Sequence, residues 1–262
     1  MPRFAANLSL MFTELPFLER FAAAARCGFR GVEFLFPYDY PAREIARRLS
    51  DNGLEQVLFN LPAGEWERGE RGFAAVPGRE RDFDAALARA LDYAGTLGCP
   101  RLHVMAGIPD PAHPPARCRA TFLDNLRRAA EPCRAAGITP LIEPINRRDI
   151  PGYYLADFAL ARGILAELGD AGVRLQHDLY HAQIIEGDLS KGLERNLPLI
   201  GHVQIANPPG RHEPGRGEIS FPHLFALLDA LGYEGWIGCE YRPMAGTEAG
   251  LGWARPYGIG AA

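Results

Sequence analysis

Six times along the chain an amphipathic stretch ends at a glycine and a short apolar run starts within a few residues. Gly28 precedes GVEFLF, Gly53 precedes LEQVLF, Gly98 precedes RLHVMA, Gly137 precedes ITPLIEP, Gly172 precedes VRLQHD and Gly232 precedes GWIGCEY. Glycine suits the left-handed position just past a helix C-terminus, because it has no Cβ to clash. The stretches between carry the 3.6-residue period of helices. Phe83, Leu87, Leu91 and Ala94 share one face, as do Phe122, Leu126, Ala129 and Cys133. Leu224, Leu227, Leu228 and Leu231 form a third stripe, with Ser220 placed as N-cap and Pro222 in the first turn. FAANLSL near the start and GHVQIA at 201–206 bring the apolar runs to eight. Strands that alternate with helices run parallel, and eight such units predict a closed (β/α)8 TIM barrel. An open doubly wound sheet would carry a phosphate-binding glycine fingerprint after its first strand, and this chain has none.

The 262 residues suffice for one such barrel, so a single domain over 1–262 is expected. One connection is out of scale: NLPAGEWERGERGFAAVPGRE, 60–80, follows the third strand and therefore lies at the strands' C-terminal face. Loops of that length in a compact domain are lids or disordered insertions. Trp66 and Phe73 favour a packed lid.

Enzyme sites in this architecture are built at that same face, from strand ends and the loops after them. The fifth strand ends at Glu143, the sixth at Asp178, the seventh carries Gln204 and the eighth ends at Glu240. Alternation along a strand sends Val203 and Ile205 outward to the helices and leaves His202 and Gln204 inside. By the same parity Ile237 and Cys239 face outward, and Glu240 faces inward with Gly238. An unpaired buried amide costs on the order of a few kcal/mol, so Gln204 requires a partner. Three converging carboxylates would repel one another, and a bound dication removes that conflict. Glu143, Asp178, Gln204 and Glu240 offer only oxygen donors if the amide oxygen points inward. That set favours Mg²⁺, or Mn²⁺, over zinc. His181, three residues after Asp178, is near enough to line the cavity, and Arg211 in PPGRHEPG is suited to grip an anionic substrate group. His103 on the fourth strand and Glu33 on the second have inward-facing potential but read more plainly as packing residues, and Glu213 as a residue that shapes its loop.

Composition narrows the partners. A net charge of −4 and a pI near 6.0 give no electrostatic footprint for nucleic acid or an anionic membrane. No run approaches the roughly 20 apolar residues of a membrane span, and MPRFAANLSLMF has no cleavage signature. A soluble, cytoplasmic protein is expected. Five scattered cysteines, with no C-x-x-C pair, read as small buried hydrophobes of a reducing compartment. Lys191 is the only lysine, which confines Schiff-base chemistry to that position. The glycine-rich tail GLGWARPYGIGAA has two destinations, the barrel or a second copy, so homo-oligomerisation stays open.

The segments RFAANLSLMF, GVEFLFPYDYP, NLPAGEWERGERG, LIEPINRRDIPGYYL, HVQIANPPGRHEPGRGEI, GWIGCEYRP and TEAGLGW together span nearly the whole chain. In them the sequence resembles the hydroxypyruvate isomerase family, a branch of the xylose-isomerase-like barrels that also contains ketose 3-epimerases. The neighbouring 2-oxo-tetronate isomerases share many of these stretches. The resemblance implies metal ligands at Glu143, Asp178, Gln204 and Glu240 and catalytic duty for Glu143 and Glu240. It implies isomerisation of hydroxypyruvate to tartronate semialdehyde through an enediolate, with a related sugar acid or sugar as the alternative substrate. Gln204 stands where the epimerases carry histidine, which weakens the epimerase reading. On this reading Arg211 and His181 would hold the carboxylate and hydroxyl of the small hydroxy-keto acid.

Overall fold

All six junction glycines take positive φ, from +60° at Gly53 to +95° at Gly28. At Gly28 the demand is double, since a Cβ would also run into the carbonyl of Gly258 in the C-terminal segment. The computed structural model describes residues 1–260. In it these junctions feed eight parallel strands that close in sequence order into a barrel. The strands are β1 (Arg3–Asn7), β2 (Gly31–Glu33), β3 (Glu55–Asn60), β4 (Arg101–His103), β5 (Thr139–Ile142), β6 (Arg174–Asp178), β7 (Ile200–Ile205) and β8 (Trp236–Cys239). Around them lie α1 (Phe17–Arg26), α2 (Ala42–Asp51), α3 (Glu80–Leu97), α4 (Pro115–Ala135), α5 (Phe158–Leu168), α6 (Leu179–Ile185), α7 (Leu189–Asn196), α8 (Phe221–Ala230) and the short α9 (Thr247–Gly250).

The anticipated helix stripes face the sheet. Phe83, Leu87 and Ala94 are buried and Leu91 packs at the edge, while Phe122, Leu126, Ala129 and Cys133 are all buried. Phe21, Phe83, Phe122, Phe158 and Phe221 bring a fully buried ring from α1, α3, α4, α5 and α8, each stabilising the fold by about 1.5–3 kcal/mol. Ser220 does precede α8, with Pro222 in the first turn, yet its hydroxyl makes no capping bond. Pro222 has no N–H to offer, so one of the two amides a cap engages is missing. The working side-chain caps are Asp157, which accepts from Leu160 N at 2.6 Å, and Asp178, which accepts from Tyr180 N at 2.8 Å.

The long connection is half docked. Gly72 bridges to Ala106, Ala75 N donates to Ala106 O at 2.7 Å, and Phe73, Ala74 and Ala75 are buried. Only the part around the 3₁₀ turn Trp66–Arg68 projects, and Trp66 meets Phe36 at a tilt with Arg71 over its indole at 3.7 Å. In the tail, Trp253 and Tyr257 each meet the Phe4 ring edge-on at 5.1 Å. All five cysteines are free thiols, four of them buried. No helix among the described residues is long and apolar enough to cross a membrane.

Candidate active site

Register places the expected residues side by side. Asp178 pairs with Gln204, and Gln204 with Gly238, so the ends of β6, β7 and β8 meet at one level. The parity argument holds: Val203, Ile205, Ile237 and Cys239 are fully buried, and Gln204 bonds within the barrel. Gly238 leaves room for Glu33, whose carboxylate a Cβ there would strike. Glu143 and Glu240 follow β5 and β8, His181 lies on α6, and Arg211 sits in the loop after β7.

At the mouth, Glu143 Oε1 and Asp178 Oδ2 are buried and have no hydrogen-bond partner among the described residues. His181 Nε2 lies 3.6 Å from Asp178 Oδ2 and 4.0 Å from Glu143 Oε1. These three groups offer ligand atoms within 4.8 Å of one another, close enough to hold a metal ion. The tautomer of His181 decides what that histidine can do. The backbone N–H of Asn146 donates to its Nδ1 at 3.3 Å, and Asn146 Nδ2 lies 2.7 Å away. Burial, helped by the positive Arg211, holds the imidazole pKa well below its usual value, so the ring is neutral. Its one hydrogen is therefore on Nε2, aimed at the unpaired carboxylate oxygens. That makes His181 a donor at this site and leaves the oxygens of Glu143 and Asp178 as the better ligands.

The carboxylates bind protons more tightly than usual, chiefly because they are buried. Burial, with the charges of Glu240 and Asp178 nearby, pushes Glu143 well above the usual range. Burial raises Asp178 to about 6 and Glu240 to about 8, in both cases against the pull of Arg211. Two buried, partnerless oxygens with raised proton affinity fit a divalent cation.

Gln204 is oriented differently from the expectation. Its Oε1 accepts from Gln176 Nε2 at 2.6 Å, while its Nε2 donates to Glu33 Oε1 at 2.8 Å and to Glu240 Oε2. Arg211 spans the mouth. Its guanidinium donates to Glu240 Oε1 at 2.6 Å and lies 3.5 Å from Asp178 Oδ2 and 3.4 Å from Asp149 Oδ2. Its backbone is held at φ +58°, a left-handed conformation that costs a non-glycine residue roughly 1 kcal/mol.

Glu33 and His103 take the inward positions their strands offer, and both are buried. Glu33 accepts from Asn7 Nδ2 at 3.1 Å and pairs with His202 Nε2 at 2.7 Å. His103 Nδ1 stands 3.6 Å from Glu143 Oε2, and burial lowers its pKa to about 3. Glu213, expected to shape its own loop, ties it to the loop after β8, accepting from Met244 N at 3.0 Å. The cavity lined by His103, Glu143, His181, Arg211 and Glu240 has a volume near 550 Å³, with Trp66, Leu35 and Tyr180 also in its lining.

The profile of the xylose isomerase-like TIM barrels matches residues 21–257. A 2-oxo-tetronate isomerase of Cupriavidus necator is 57% identical, the match covering 98% of this chain and 99% of that one. The hydroxypyruvate isomerase of Escherichia coli is 46% identical over 98% of this chain and all of its own. Among solved structures, one from Brucella melitensis named AP endonuclease, family 2, superposes with a TM-score of 0.96 at 51% identity, covering 98% of this chain and 99% of that one.

Proposed function

Because the chain belongs to the xylose isomerase-like TIM barrel family, we propose that it isomerises a short hydroxy-keto acid, converting hydroxypyruvate to tartronate semialdehyde. One observation carries this reading: two buried glutamates, Glu143 and Glu240, enter one cavity from strands β5 and β8 beside partnerless oxygens and a neutral imidazole N–H. The reaction removes a proton from the hydroxyl-bearing C3 and returns one to C2. A carboxylate from each side of the cavity suits those two transfers, each contributing roughly 10²–10⁴-fold. His181 Nε2–H is placed to donate to the substrate oxygen on which charge develops.

Glu143 and Asp178 would hold a divalent cation, Mg²⁺ or Mn²⁺, through their free oxygens. Glu240 and Gln204 would complete the set, Gln204 after turning its amide. The bound ion would supply Lewis-acid stabilisation of the enediolate charge, worth several kcal/mol. Arg211 offsets the carboxylate cluster and orients Glu240. Trp66, on the projecting part of the 60–80 connection, would close over the cavity as a lid and limit water access to the enediolate. A reducing, cytoplasmic setting suits the five free thiols.

A second reading rests on the 57% identical relative: isomerisation of a 2-oxo-tetronate, which adds a hydroxymethyl group at C3 and fits the same cavity. The endonuclease name of the Brucella protein finds less support here. The chain carries a net charge of −4 and its site carboxylates are buried, whereas a phosphate backbone calls for a basic track.

The test is solvent-deuterium incorporation into hydroxypyruvate and into the four-carbon 2-oxo acid, followed by NMR with and without chelator. Exchange should need the cation and fall at least 100-fold in Glu143→Gln and Glu240→Gln. Full exchange in both variants removes the acid/base pair. A higher kcat/KM for the four-carbon acid moves the assignment to the second reading.

A further inference from the structure

The proposed substrate brings an ionised carboxylate into a cavity already lined by the buried acids Glu143 and Glu240. Something cationic must receive it. Three guanidinium groups line the cavity: Arg148, Arg211 and Arg242. The sequence marks Arg211 for this duty, but the structure shows it engaged. Besides its contacts to Glu240, Asp178 and Asp149, its Nε donates to Glu240 O at 3.3 Å, and its plane lies over Tyr180 at 4.9 Å. A guanidinium satisfied on every edge has no fork left to offer a ligand.

Arg148 and Arg242 differ. Both are exposed at the cavity, and among the described residues neither side chain is paired with a carboxylate. They stand five residues after Glu143 and two after Glu240, on the two loops that clamp Arg211. Asp149 of the first loop takes the Arg211 side chain at 3.4 Å, and Arg242 N of the second donates to Arg211 O at 2.8 Å. Tyr180 adds a firm wall, since its hydroxyl donates to Asp149 Oδ1 at 3.1 Å.

We propose that Arg148 and Arg242 form the substrate-carboxylate clamp, with Arg211 as the internal counter-charge of the catalytic acids. The inference rests on the hydroxy-acid reading above and adds an orientation to it. The carboxylate points outward to the mouth, so C2 and C3 lie inward, at the depth of Glu143 and Glu240. Two cations at the rim also favour encounter with an anion, against the net negative charge of the chain.

Two measurements test the clamp, both on the full chain with Mg²⁺ present. The first is steady-state kinetics of Arg148→Gln/Arg242→Gln on hydroxypyruvate. KM should rise at least tenfold with kcat within about threefold, and Arg148→Lys/Arg242→Lys should recover most of the loss. The second is calorimetric titration with D-glycerate, a carboxylate with no carbonyl to isomerise, whose Kd should rise at least tenfold in the Gln variant. An unchanged KM, a loss carried by kcat, or equal Kd values overturn the clamp. So does a wild-type protein that fails to bind D-glycerate. Absence of turnover in the wild type, with D-glycerate bound and lost as expected, strikes the isomerase reading and leaves the clamp standing.

Discussion

Two polar layers lie inside the barrel, one above the other, and they are made differently. In the inner layer Glu33 has both oxygens engaged, by His202, Asn7 and Gln204, and is buried completely. In the mouth layer Glu143 and Asp178 each keep an oxygen with no hydrogen-bond partner among the described residues. Both layers place carboxylates in a low-dielectric interior, where an unpaired one is costly. Evolution of a stable fold alone would close the second as it closed the first. The unengaged carboxylate oxygens of the mouth support the cation proposed there, and Glu33 holds Gln204 in place beside them.

The largest expected contrast lies in stability. Glu33→Ala strips three donors of their acceptor in a sealed core and should cost about 3–5 kcal/mol, lowering Tm by roughly 10 °C. Glu143→Gln, measured in chelator, removes one of three mutually repelling acids and should melt no lower than the wild type. Thermal melts by circular dichroism read both. Equal losses would erase the distinction between the layers.

A smaller effect follows from proton binding at the mouth. Glu240 at about 8 and Asp178 at about 6 are raised above their unfolded values, so the ion-free fold holds protons that the unfolded chain has released. For a raised carboxylate, stability is present at low pH and is lost as pH climbs through the folded pKa. Chelated protein should therefore lose on the order of 5 °C in Tm between pH 5 and pH 8. Mg²⁺ or Mn²⁺ should restore more at pH 8 than at pH 6, because the cation must displace those protons. A chelated melt independent of pH would show that the mouth acids are already satisfied.

The two layers also differ in what the sequence discloses. The barrel is legible from glycine spacing and helix periodicity because both act within a dozen residues. The inward placement of Gln204 and Glu240 is legible because strand parity is equally local, and Asp178 stands out as the polar end of its strand. The inner layer is legible only in part: the inward potential of Glu33 is local to its strand, but its partner His202 lies 169 residues away. The engagement of Arg211 depends on Asp149, 62 residues away, and the His181 tautomer on Asn146, 35 residues away. No chain-local signal carries either fact, and the amide direction of Gln204 likewise follows from Gln176 and Glu33 acting together.

The finest distinction concerns one residue that belongs to both worlds. Asp178 caps α6 with Oδ1, as Asp157 caps α5, but its Oδ2 is the partnerless oxygen of the mouth. Asn keeps the capping carbonyl at either site, so Asp157→Asn and Asp178→Asn should each change stability by a few tenths of a kcal/mol in chelator. Ala at either site loses the cap, about 1 kcal/mol or roughly 3 °C. Only at 178 should Asn matter to a ligand: calorimetric Mn²⁺ affinity should fall at least tenfold in Asp178→Asn and hold in Asp157→Asn. If Asp178→Asn binds Mn²⁺ as the wild type does, the unpaired oxygen is not a ligand and the mouth layer needs another explanation.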